Sequence, residues 1–320
     1  MIPREPAELV DLARGGSRTA LARLLTYVES GGAMQLATAA LAYAAPAPYV
    51  IGLTGPPGAG KSTLTDQLIT TALTRGSFDG ADQFDEVGVL CVDPSSPFTG
   101  GAILGDRIRM QDHATNEHVF IRSLATRGHL GGLSLAVPDA LRVLGAANFR
   151  LVMVETVGVG QMEVEIASAA DTTVVVTNPG WGDAMQANKA GLLEVADIFV
   201  INKADRAGVR ETRRDLEQML DLGGEHEWRP MILETVATND VGTEELWDAI
   251  GEHRRFVEGE RLVEHRRRRM RAELDKVIAA MVRSRIGDLG HGAAYEEQVE
   301  SLLAGSTDPY RAARALLDEQ

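Results

Sequence analysis

Seven short apolar runs, separated by stretches with helical spacing, limit the fold of this chain more than any other feature. They read YVIGLTG, VGVLCVD, HVFIRS, LVMVET, TTVVVTN, IFVINK and MILETV, and all lie between Tyr49 and about Phe256. Most are apolar without alternation, the pattern of strands buried on both faces. Strands interleaved with helices imply an α/β fold, a mostly parallel sheet with helices on both faces. Ligands of such sheets bind outside the carboxyl ends of the strands, and polar or glycine-rich segments come directly after these runs. Cys91, the lone cysteine, sits in VGVLCV and reads as a buried strand residue; one thiol excludes an internal disulfide and a Cys-rich metal site.

Both flanks read as helical. Leu21, Leu24, Leu25 and Val28 recur on one helix face, and MQLATAALAYAA extends the pattern until AAPAP stops it. From about Arg261, Met270, Leu274, Val277, Ile278 and Met281 form an apolar stripe opposite Arg267, Arg271 and Lys276. DPYRAARALLDEQ adds a short helix after a glycine-containing break. The expected organisation is an N-terminal helical segment at 1–46, an α/β domain at 47–256 and a C-terminal helical segment at 257–320. The stripe needs a cover, and a second copy of the chain is favoured over folding back, so the last segment is expected to build a homodimer.

Charge narrows the partners. A net charge of -14 argues against wrapping nucleic acid. The run HRRRRMR at 265–271 is the local exception; acidic residues flank it and it lies in a helical pattern, so it reads as a solvated helix face. No apolar run approaches the ~20 residues of a membrane span. The beginning, MIPREPAELVDLARGG, lacks the pattern of a secretory signal, so the chain is expected to be cytoplasmic.

After the first apolar run comes GPPGAGKST, which matches G-x-x-x-x-G-K-S with Gly55, Gly60, Lys61 and Ser62 in the fixed places. Backbone N–H groups encircle phosphates only where no side chain intrudes, and Gly58 and Ala59 complete the loop. The helix starting near Lys61 adds its positive dipole end. Lys61 is expected to bridge the β- and γ-phosphates, Ser62 to ligate Mg²⁺, and Thr63 to reach the α-phosphate.

The base is read further on. IFVINKAD ends in Asn202, Lys203 and Asp205, an N-K-x-D pattern at a strand end. The Asp205 carboxylate accepts from guanine N1–H and its exocyclic amine, whereas adenine offers an acceptor at N1. An unpaired buried acceptor costs about 1–3 kcal/mol, enough to favour GTP over ATP. Asn202 would tie strand ends together, the Lys203 stem would cover the base, and the backbone of Ala237 and Thr238 would meet guanine O6.

LVMVETVGVG puts Glu155 at a strand end and Gly158 three residues later, the acid-x-x-Gly arrangement that senses a γ-phosphate. Glutamate is one methylene longer than the usual aspartate. Val159 stands where small GTPases place a water-orienting glutamine, with Gln161 two residues further on, so slow intrinsic hydrolysis stimulated by a partner is expected. In VDPSSPFTGGAILGDRIRM, Asp93 either orients water, reaches Mg²⁺ through water, or caps the following turn. Asp106 either completes the metal's oxygen shell or begins a helix. NPGWGDAMQANKAG offers Asp183 and Lys189 as sensors of phosphate or partner, or is an ordinary surface loop.

Together, GPPGAGKST, VDPSSPFTGGAILGDRIRM, ATRGHLGGLS, ETVGVGQ, NPGWGDAMQANKAG and NKAD closely resemble the MeaB/ArgK family over roughly residues 45–255. These are GTPases that escort methylmalonyl-CoA mutase, an adenosylcobalamin enzyme. The resemblance implies a P-loop G domain of the class shared with signal-recognition-particle and nickel-insertion GTPases, a homodimer through the C-terminal helices, and GTP/GDP with Mg²⁺ as ligands. It makes Asp93 and Asp106, with Glu155, Mg²⁺ and water-positioning residues, and makes the segment with Lys189 a third switch. The chain has no D-x-H-x-x-G cobalamin motif, so the cobalamin would belong to the partner. Pro56 and Pro57 stand where some members of the class carry a second lysine that reaches across a dimer. Two alternatives are a nickel-insertion GTPase, which one Cys and seven scattered His disfavour, and a transport-linked ATPase or kinase, which N-K-x-D disfavours.

Overall fold

All seven apolar runs form strands in a computed structural model, which describes residues 4–78, 80, 83–93, 113, 115–125, 132–156, 169–180, 195–222, 227–289 and 292–318. The strands are β1 (Tyr49–Thr54), β2 (Val87–Asp93), β3 (Val119–Ala125), β4 (Leu151–Thr156), β5 (Thr172–Thr177), β6 (Ile198–Asn202) and β7 (Met231–Thr235). They pair in the order β3-β2-β4-β1-β5-β6-β7, and each neighbouring pair is parallel. β1 is therefore central, and the loop leaving its carboxyl end is flanked by the ends of β4 and β5.

Before the sheet come α1 (Pro6–Arg14), α2 (Arg18–Ser30) and α3 (Gly32–Ala42). Ser17 begins α2 by accepting from Ala20 N. Its Leu21, Leu24, Leu25 and Val28 are at most 2% exposed. With α5 (Gly132–Ala146), these helices cover one face of the sheet through Val50, Leu90, Val152 and Val154. The same face continues over β5 and β6 as Val175, Phe199 and Ile201, under Leu216 and Met219 of α6 (Val209–Leu222). Alternate strand residues, among them Ile51, Leu53, Met153 and Val174, point the other way, against α4 (Lys61–Arg75) and α7 (Thr243–Val257). Continuous apolar runs are thus explained by two covered faces. Trp247 of α7 stacks on Phe78 at 4.5 Å and gives its indole N–H to the Ser77 carbonyl.

The chain divides into two compact units, Met1–Arg269 and Met270–Gln320. The second contains the end of α8 (Glu260–Leu289), then α9 (Ala293–Leu303) and α10 (Pro309–Asp318). Sequence reasoning foresaw α8 and α10 but not α9. On α8, Met270, Leu274, Ile278 and Met281 are exposed. Among the described residues, no helix is long and apolar enough to cross a membrane.

The amino ends of β1 and β5 hold a buried charge cluster, and it changes the reading of the basic run. Asp171, 1% exposed, accepts from Val50 N at 3.0 Å and from Arg266 Nη2 at 2.9 Å, and pairs with Arg269. Arg266 also reaches the Pro48 carbonyl and Arg269 the Ala169 carbonyl. Only part of HRRRRMR is therefore a solvated face: Arg267 and Arg268 are exposed, while Arg266 and Arg269 turn inward to neutralise one carboxylate. Burial, with help from Arg269, pushes the His265 imidazole below its ordinary value, so it adds no charge to the run at neutral pH. Alongside, Tyr49, Thr172 and His253 form a buried hydrogen-bonded chain with links of 2.5 and 2.8 Å, and His253 Nε2 lies 3.2 Å from the half-buried Asp197 carboxylate. Burial raises the Tyr49 phenol, which stays neutral.

Burial alone would raise the Asp171 carboxyl; the guanidiniums of Arg269 and Arg266, with Val50 N–H, outweigh it and hold the group below its ordinary value. Its stabilisation is therefore complete above about pH 4, the usual aspartate pKa, and is lost as pH falls through the lowered folded value. Asp171→Ala should cost about 3–5 kcal/mol in urea unfolding, because two guanidiniums and one N–H lose their partner. The fall of the wild-type urea midpoint below about pH 4 should be shallower in Asp171→Asn.

Candidate functional site

The chain turns out of β1 at Gly55, whose φ is +137°. A Cβ there would lie 2.0 Å from the Val176 carbonyl oxygen of β5, so no other residue fits. Gly60, at φ +93°, is equally constrained: its Cβ would stand 2.3 Å from Asn202 Nδ2. Between them Gly58 also has positive φ and Ala59 is fully buried. The loop delivers Lys61 and Ser62 into the first turn of α4, both 6% exposed. Lys61 Nζ donates to the carbonyls of Gly55 and Pro56 at 2.8 and 3.0 Å, which lays the ammonium across the loop. Thr63 is half-buried beside it. An ammonium, a helix N-terminus and glycine-rich backbone at one place suit a polyanion.

Ser62 Oγ donates to Glu155 Oε1 at 2.5 Å. Glu155 is next to last in β4, paired beside Leu53 of β1, and 4% exposed. A buried hydroxyl and carboxylate in contact form an oxygen donor set of the kind that Mg²⁺ takes with phosphates and water completing its shell. Among the described residues, no three His, Cys, Asp or Glu gather as a metal cage.

Asn202 closes β6 and joins three segments. Its Nδ2 donates to the Ala59 carbonyl at 2.8 Å, and its Oδ1 accepts from Thr235 Oγ1 and Ala237 N, both at 3.1 Å. The Ala237 N–H expected at guanine O6 is thus used by Asn202, because an amide oxygen with two lone pairs takes both nearby donors. Thr238 is exposed next to it. Lys203 holds φ +59°, uncommon for a non-glycine residue, and its Nζ donates to the Gly58 carbonyl at 2.6 Å. Asp205 is exposed two residues on. Asp93 ends β2, but its side chain lies outside the described residues, as do Asp106, Gly158, Gln161, Asp183 and Lys189.

Sequence reasoning missed Thr65, whose hydroxyl lies 3.2 Å from Glu155 Oε2, and Thr235 beneath Asn202. The spacing of Thr65 three residues after Ser62, one helix face, was the available signal. A cavity of about 1050 Å³ opens near the amino ends of β1 and β4, away from the phosphate loop. There Asp85, Glu86 and Glu258 balance Arg150, Arg254 and Arg266, so its wall offers a nucleotide no net positive charge.

Known proteins resemble this chain in sequence and fold. The family model described as Methylmalonyl Co-A mutase-associated GTPase MeaB matches residues 21–290. A Pyrococcus abyssi protein bearing a GTPase name is 47% identical over 318 residues, 98% of this chain and 96% of the relative. A fused isobutyryl-CoA mutase of Cupriavidus metallidurans is 41% identical over 219 residues, 68% of this chain and 19% of that protein. A crystal structure described as LAO/AO transport system kinase matches with a TM-score of 0.71 and 27% identity, over 99% of this chain and 98% of that one. Since the family model runs from within α2 to the end of α8 and takes in the whole sheet, the chain belongs to the MeaB family of P-loop GTPases.

Proposed function

We propose that this GTPase gates cofactor delivery to an adenosylcobalamin-dependent methylmalonyl-CoA mutase, and protects or reactivates that enzyme, in the cytoplasm. One observation carries the nucleotide-binding part of this reading: the Asn202 side chain ties the phosphate loop to the N-K-x-D segment, so that triphosphate and base would be held by one linked unit. Support for the partner comes from the family description and from the relative in which a similar segment belongs to a fused CoA mutase.

In this reading Lys61 leaves the loop carbonyls for the β- and γ-phosphates, the amides of Gly55, Gly58, Ala59 and Gly60 ring them, and Thr63 takes the α-phosphate. Ser62 and Glu155 hold Mg²⁺, with Asp93 and Asp106. When bound, the ion neutralises charge that develops on the phosphoryl oxygens. Gly158 N–H senses the γ-phosphate, and Lys189 couples that state to the mutase. Asp205 accepts from the guanine N1–H and amine, the Lys203 stem covers the ring, and Thr238 lies at its edge. GTP holds the switch segments in one arrangement and hydrolysis releases them. Val159, in place of a water-orienting glutamine, keeps hydrolysis slow until the partner assists. The exposed stripe of α8 supports a homodimer through the C-terminal helices.

Calorimetry should give GTP tighter binding than ATP, and Asp205→Asn should weaken GTP roughly ten- to a hundredfold; equal affinities for the two nucleotides would remove the guanine reading. The wild-type protein should retain methylmalonyl-CoA mutase in a pull-down, with cofactor loading that differs between GTP and GDP. No association in any nucleotide state defeats the escort role while leaving the GTPase intact.

A further inference from the structure

Thr65 sits on α4, one turn beyond Lys61, and is fully buried. Its hydroxyl lies 2.9 Å from the Lys61 carbonyl oxygen and 3.2 Å from Glu155 Oε2. Ser62 donates to the other oxygen of the same carboxylate. The one hydroxyl proton of Thr65 is shared between these two acceptors in a three-centre bond, so Ser62 holds one oxygen of Glu155 and Thr65 restrains the other while staying tied to the start of the helix.

The need for the second grip comes from side-chain length. Glutamate has one more rotatable bond than aspartate, so a carboxylate that must stand at a fixed distance from a cation requires a further restraint. Threonine in a helix divides between two χ1 rotamers, and the bond to the carbonyl four residues back selects one. That rotamer aims Oγ1 at β4 while keeping it tied to the start of α4. We propose that Thr65 is a positioning residue that clamps Glu155 for Mg²⁺, setting the cation affinity of the nucleotide-bound protein. The inference rests on the reading of Glu155 as a Mg²⁺ oxygen donor. It adds that the donor's reach is governed from the phosphate-loop helix.

The test uses the full chain loaded with a fluorescent N-methylanthraniloyl-GDP, with release of the analogue followed as Mg²⁺ is titrated. Thr65→Val keeps shape and removes the hydroxyl, and should raise the Mg²⁺ concentration for half-maximal retention about tenfold, the order expected for one lost hydrogen bond to a charged group. Thr65→Ser should restore most of the shift, and affinity for the analogue in EDTA should match wild type. Thr65→Ala replaces the valine variant if that variant does not fold. In a Glu155→Gln background, Thr65→Val should add no further shift. A wild-type Mg²⁺ midpoint in Thr65→Val, alongside a shifted one in Glu155→Gln, overturns the clamp and leaves the Glu155 reading standing. A full additional shift in the double variant overturns it too. An unshifted Glu155→Gln removes the underlying reading.

Discussion

A single amide side chain, Asn202, organises the functional end of this molecule. It is 2% exposed, and both its oxygen and its nitrogen are used within the protein. A buried amide left unpaired would cost about 1–3 kcal/mol per group, so each partner segment is fixed relative to the other two. Gly60 is the steric counterpart, since any Cβ there would occupy the space of Asn202 Nδ2. The position of Lys203 is set as well: its left-handed backbone is held by the bond from Nζ to Gly58. Phosphate loop, N-K-x-D segment and the end of β7 are therefore bonded into one piece.

The two ends of the sheet solve different electrostatic problems. At the carboxyl end, Lys61 lies across the phosphate loop and Ser62, beside it at the start of α4, meets buried Glu155, a mixture of charges that suits a nucleotide with its metal ion. At the amino end, Asp171 is satisfied by two guanidiniums and one backbone N–H, all contributed by the protein. The first is arranged for exchange of partners, and the second for permanence. Both depend on β1 and β5, six residues each, whose opposite ends lie in the two clusters.

Much of this was legible in the sequence. Seven unalternated apolar runs gave seven parallel strands because burial on both faces leaves no polar side to write into the pattern. The phosphate loop was legible because glycine is demanded at fixed places, and Gly55 against Val176 and Gly60 against Asn202 display that demand as steric facts. The basic run at 265–271 misled, since local pattern does not reveal a distant carboxylate: Asp171 is about a hundred residues away in sequence and comes into range only when β5 docks beside β1. The bond from Ala237 N to Asn202 Oδ1 was not legible either, since the pattern around one residue does not show which distant side chain will meet its backbone. Helix α9 was hidden because it buries no residue of its own, which leaves no strong periodicity to read.

The inward turn of Arg266 and Arg269 bears on how the nucleotide-binding part can be shortened. A chain cut at residue 256, where the α/β texture ends, would strand a buried carboxylate without its counter-charges beneath the central strand. Ten or so residues that look like the root of an appendage are thus part of the sheet's own foundation, and a trimmed GTPase that keeps its fold has to end after Arg269.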